Sequence, residues 1–164
     1  MHDREAALVS NTTPLLALTA AMGNLDILKF LYQRVIVPIE VADEIRAGGV
    51  HHFGVDVFDA ASWLEVQTKP VVLQAFLKNS LDQGEASVIQ TAMDLGLPLV
   101  CIDESVGRRV ARLCGLNLTG SVGLLLKAQS LGYELSIPVA LKRMHDHGIW
   151  LSDRLVTFAM LRGH

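Results

Sequence analysis

The segment LPLVCI, Leu97 to Ile102, is apolar on consecutive residues. A strand with one face in water alternates apolar and polar side chains, whereas a strand covered on both faces does not. Such a strand belongs to a sheet sandwiched between helices, and the flanking sequence supplies them. DQGEASVIQTAMDLG precedes it as a helix with Ala86, Ile89 and Met93 inward and Gly96 as its stop. ESVGRRVARLCG follows it as another helix.

The same alternation runs along the whole chain. A first strand is expected at about Ala7–Ser10. A helix then starts near Pro14, with Thr13 as N-cap and proline at the first helical position. NLDILKFLYQ carries Leu25, Ile27, Leu28 and Leu31 at helical spacing, and RVIVP reads as a second strand closed by Pro38. IEVADEIRAGG is a helix ending at Gly48–Gly49. Val50 to Lys69 is the least readable region, with WLEVQ as a third strand. PVVLQAFLKNS reads as a helix, LNLTG as a fifth strand and SVGLLLKAQSLG as a further helix, and the tail from about residue 138 is helical. Strands separated by helices predict an α/β chain with a mainly parallel sheet of about five strands in a three-layer α/β/α arrangement. Residues 1–164 suit one domain.

The bulk numbers exclude some classes. The formal net charge is −3, which argues against coating nucleic acid by bulk charge. It leaves room for an enzyme that handles nucleic acid through a metal, because such a site needs clustered acids. No apolar run reaches the ~18–20 residues that cross a bilayer, so no membrane partner is expected. The start, MHDREAALVS, does not resemble a signal peptide. The two cysteines, Cys101 and Cys114, read as buried thiols of a cytoplasmic protein.

Polar residues fall at the expected C-terminal ends of strands or in the helices behind them. Asn11 ends the first strand with Thr12 beside it, Glu44 lies in the helix after the second, Asp82 and Glu85 open the helix before LPLVCI, and Asp103 ends that strand with Glu104 next to it. Ligands bind at that rim of a parallel sheet. Acids gathered there repel unless a cation sits among them, and a hard divalent ion with oxygen ligands suits them. Each residue also has a local reading: Asn11 as a turn former, Asp82 and Glu85 as a capping box, Asp103 as a helix N-cap. His51-His52 and His145-Asp146-His147 lack a third ligand and zinc-like spacing.

VSNTTPLLAL, VIVPIEVADEI, LDQGEASVIQTAMDLGLPLVCIDESVGRRVA, GLNLTGSVGLLLKAQSLG and GIWLSDRL together resemble the PIN-domain family, in particular a prokaryotic subgroup of uncharacterised, predicted nucleic-acid-binding PIN proteins. The resemblance implies a PIN-like fold with the first and fourth strands adjacent at the centre. It implies Mg²⁺- or Mn²⁺-dependent endoribonuclease chemistry, often as the toxin of a toxin–antitoxin pair. The four family acids fall on Asn11, Glu44, Glu85 and Asp103, which are then the catalytic and metal-holding positions. Asn11 departs from the usual aspartate: it offers an oxygen but no charge. Thr12, Arg108 and Arg109 are expected to contact nucleic acid, with single-stranded RNA as the substrate. Partners implied are a small antitoxin and a second copy of the chain. Two other readings stay open: a catalytically weak or inactive PIN domain that binds nucleic acid or a partner protein, and a doubly wound module for a small ligand.

Overall fold

A computed structural model describes residues 2–48 and 53–164. Five strands, β1 (Glu5–Ser10), β2 (Tyr32–Val37), β3 (Glu65–Val66), β4 (Leu99–Cys101) and β5 (Asn117–Thr119), form one sheet in the order β3-β2-β1-β4-β5. All four pairings are parallel. The chain therefore builds outward from β1 to one side, returns, and continues from β4 to the other. The crevice beside β1 and β4 is the switch point of the topology, where side chains beyond the strand ends face a shared opening. Val9 pairs with Val100 and Ser10 with Cys101, so Asn11 and Ile102 leave the sheet side by side.

Parallel strands need crossovers, and helices supply them. Ten are described: α1 (Thr12–Met22), α2 (Asp26–Leu31), α3 (Ile39–Arg46), α4 (Val55–Ala60), α5 (Ala75–Ser80), α6 (Gln83–Leu95), α7 (Ser105–Leu113), α8 (Ser121–Ser130), α9 (Ile137–Asp146) and α10 (Asp153–Arg162). α6 packs on β1, β4, α3, α5 and α7, while α8 packs with α1, α2 and α10. The helices flank the sheet as the α/β/α reading requires. One hydrophobic cluster runs through the molecule, including Leu8 and Val9 of β1, Ile36 of β2, Ile89 of α6, Val100 of β4 and Leu125 of α8. No helix among the described residues is long and apolar enough to cross a membrane.

Several local expectations shift. The first helix is capped at Asn11, two residues earlier than Thr13, so Pro14 sits inside its first turn, where its missing N–H has no intrahelical partner to lose. Tyr32 and Gln33 belong to β2 rather than to the helix before it, because Tyr32 is buried against the sheet. Residues 70–74 carry no regular secondary structure and only α5 is helical there; Glu40 on α3 accepts the N–H of Val71 and holds that segment. α4 was not legible. Cys101 is buried but Cys114, at the end of α7, is half-buried, and both thiols are free. Gly49 and the pair His51-His52 lie outside the described residues.

Candidate functional site

Asn11 is the residue on which β1 turns into α1. Its N–H donates to Cys101 O at 3.1 Å, continuing the β1–β4 ladder one residue beyond the strands. Its side chain makes no cap bond to α1. The residue is 4% exposed, and Oδ1 is buried with no hydrogen-bond partner among the described residues. Buried amide oxygens rarely go unpaired, so each such case calls for an unseen water, ion or ligand group.

What faces Asn11 is acidic. Gly84, in the first turn of α6, has no side chain to fill the space. A Cβ built there would stand 2.7 Å from Glu44 Oε2, 3.2 Å from Asn11 Oδ1 and 3.6 Å from Asp82 Oδ1. Glu44 comes from α3, and the Thr12 hydroxyl donates to its Oε2 at 3.0 Å. Thr12 therefore orients a carboxylate. Asp82 is the N-cap of α6, with Oδ1 accepting the Glu85 N–H at 2.8 Å. That is one half of the capping box.

Glu85 projects next to this group. It is 3% exposed, and its carboxyl lies against Gly107 of α7. One carboxylate oxygen each from Asp82, Glu85 and Glu104 lie within 4.8 Å of one another. Asp82 and Glu104 are exposed and Glu85 is buried between them. Burial first, then the proximity of Asp82 and Glu104, push the Glu85 carboxyl up to about 9. Three carboxylates in that space favour either a shared proton or a cation.

Asp103 follows β4 and turns toward α8. Its Oδ1 accepts the Ser121 N–H at 2.7 Å, and its Oδ2 accepts the Ser121 hydroxyl at 2.8 Å. Rather than capping α7, it caps α8, the helix that follows the neighbouring strand β5. Burial raises its carboxyl above the usual range, while Ser121 and then Arg108 pull the other way. Arg108 Nη1 donates to Ile102 O at 2.7 Å and to Thr119 O at 3.2 Å, so its guanidinium ties together the chain ends leaving β4 and β5. Arg109 is exposed.

The topology thus gathers Asn11, Thr12, Glu44 and Glu85 at one rim of the sheet, with Asp82 and Glu104 among them and Asp103 next along it. Asp82 and Glu104 were expected at this rim but not among the metal-holding positions, and nothing in the sequence marks Gly84, Gly107 or Gly120 as spacers for carboxylates. A Cβ on Gly120 would meet Asp103 Oδ1 at 2.7 Å. An all-oxygen set of carboxylates, one amide carbonyl and a hydroxyl fits a hard divalent cation, and the unpaired Asn11 oxygen is the kind of group such an ion satisfies. Asp103, Glu104 and Arg108 line a cavity of about 1070 Å³ together with Trp150, Leu155 and Phe158.

A family model described as a PIN domain matches residues 7–162. Among solved structures, the chain is similar to a PilT N-terminus domain protein from the hyperthermophilic archaeon Sulfolobus solfataricus P2. The identity is 18%, 75% of this chain and 92% of that chain are covered, and the TM-score is 0.45. No curated protein matches.

Proposed function

We propose that this chain, which belongs to the PIN-domain family, is a divalent-metal-dependent endoribonuclease acting on single-stranded RNA. The observation that carries the reading is Asn11 Oδ1, buried and without a partner among the described residues, beside the carboxylates around Gly84 at the switch point of a parallel sheet. PIN domains generally depend on divalent metal and bind nucleic acid, and the acidic cluster at this rim is consistent with both.

Asn11, Glu44, Glu85 and Asp103 would hold Mg²⁺ or Mn²⁺, directly or through water. When bound, the ion supplies Lewis-acid stabilisation of charge on a phosphodiester and activation of water. The protein's own groups do the rest. Hydrolysis joins a water oxygen to phosphorus, breaks one P–O ester bond and leaves a proton on the departing oxygen. Glu44, exposed and fixed by the Thr12 hydroxyl, orients the attacking water by accepting one of its hydrogens. Glu85 must give up its proton for the ion to bind, so its burial couples occupancy to pH. Arg109 is exposed on α7 and contacts the RNA backbone electrostatically, whereas Arg108 braces the strand ends. As the toxin of a toxin–antitoxin pair, the enzyme would be silenced by a small protein covering this rim.

The test is cleavage of a labelled single-stranded RNA with Mn²⁺, comparing the unmodified chain with Glu85→Gln and Asp103→Asn. The reading expects metal-dependent cleavage that both changes abolish; cleavage surviving both refutes the assignment. A second reading is favoured by the neutral amide at position 11 and the proton held by Glu85. In it the domain binds nucleic acid or a protein partner without turnover. Tight RNA binding with no cleavage at millimolar Mn²⁺ selects it.

A further inference from the structure

Four positions were expected to hold the ion, and one of them, Asn11, brings no charge. The structure points to where this chain carries that charge instead. Asp82, Glu85 and Glu104 each offer an oxygen within 4.8 Å of the other two, and only Glu85 belongs to the expected set. Asp103, which does belong to it, accepts a hydrogen bond from Ser121 on each carboxylate oxygen and so also anchors α8. We infer that Asp82 and Glu104 are ligands of the same divalent cation as Glu85, directly or through its waters, and replace the negative charge missing at Asn11. The inference rests on the reading that a cation binds at this rim.

An acidic cluster alone means little, but here a separate observation points to the same place. The Asn11 oxygen, in a residue only 4% exposed, has no partner among the described residues and lies 3.2 Å from the point where a Gly84 Cβ would sit; Asp82 Oδ1 lies 3.6 Å from that same point. The orphaned amide oxygen and the Asp82 carboxylate therefore border the same open space beside Gly84. Local structure explains only part of these residues. Asp82 uses one oxygen to cap α6. Glu104 occupies the N-cap position of α7, yet its side chain makes no cap bond. It turns toward Glu85, a second acid, which has no purpose in a helix cap. Exposed carboxylates on either side of a buried one suit an ion that keeps several waters and takes few direct protein ligands.

The experiment is Mn²⁺ titration of the metal-free protein, followed by calorimetry and by loss of the free-ion electron paramagnetic resonance signal. Glu104→Gln removes a charge from an exposed side chain and leaves the fold intact. Asp82→Ser drops the carboxylate but keeps a hydroxyl able to cap α6. Each is expected to weaken Mn²⁺ binding by about tenfold, in line with losses seen when groups around a metal are removed. Asn11→Asp introduced into Glu104→Gln is expected to restore most of the loss, because it returns the charge to the first strand. If both single variants bind Mn²⁺ within about twofold of the unmodified chain while Glu85→Gln does not bind, the inference is wrong and the cation site stands. If the unmodified chain binds no Mn²⁺ at millimolar levels, both fall together.

Discussion

Gly107 lies directly against Glu85: a Cβ built on the glycine would stand 2.5 Å from Glu85 Oε2 and 2.9 Å from Ile102 Cγ2. Gly107→Ala must therefore move the carboxyl, the α7 backbone or Ile102. The expected result is a loss of about 1–3 kcal/mol of stability, typical of overpacking, together with weakened Mn²⁺ binding. Thermal melts and titration on the same sample check both.

Gly84→Ala separates the two effects. Alanine favours a helix over glycine by roughly 1 kcal/mol, and the strain falls on the movable end of Glu44 and on Asn11. Stability is expected to stay within about 1 kcal/mol of the unmodified chain while Mn²⁺ affinity drops. A variant that melts normally and binds Mn²⁺ normally would contradict the crowding described around Gly84.

The Glu85 carboxyl sets a pH dependence with a definite sign. It titrates near its ordinary 4.5 in the unfolded chain and near about 9 in the metal-free fold. Between those values the folded protein binds the extra proton, so its stability falls as pH rises from about 4.5 to about 9. Mn²⁺ binding expels that proton, so affinity climbs over the same interval. Melting temperatures measured across pH, with and without Mn²⁺, should converge at low pH and separate at high pH. Glu85→Gln should flatten the metal-free profile.

Asp103 holds α8 as well as any ion. Its two bonds to Ser121 are charge-assisted, and removing the hydroxyl by Ser121→Ala should cost about 1–3 kcal/mol. Asp103→Asn puts an NH₂ where one of these acceptors stood, so it should lower the melting temperature as well as activity. Loss of cleavage in that variant is informative only beside a melt showing the protein folded under assay conditions.

Trp150 is 83% exposed, so Trp150→Ala should change stability by no more than about 0.5 kcal/mol. Leu8→Ala, in the fully buried centre of β1, should cost about 2–5 kcal/mol. Denaturant titration of the two variants gives the contrast directly.

The LPLVCI strand was legible because double-sided burial leaves it apolar on consecutive residues, while the shorter and more polar β3 and β5 were read from the helices between them. α6 was legible from its cap and stop residues, Asp82 and Gly96. Residues 70–74 misled because their apolar side chains suggest a packed helix, whereas Val72 is 87% exposed and the backbone N–H of Val71 is taken by Glu40. At the site, Asn11, Glu44 and Glu85 stood out as oxygen-bearing residues beyond strand ends. Asp82 and Glu104 were visible as acids at the same rim, but only the fold shows that both come within reach of Glu85. The role of Arg108 was hidden for the same reason: its partners are the carbonyls of Ile102 and Thr119, which no pattern of side chains reveals.

The sheet is flanked by stubs. β3 contributes two residues and β5 three, and these are the outermost strands. A foreign strand laid alongside either would form only a rung or two of ladder before running out of backbone. The molecule thus offers scant template for runaway cross-β stacking.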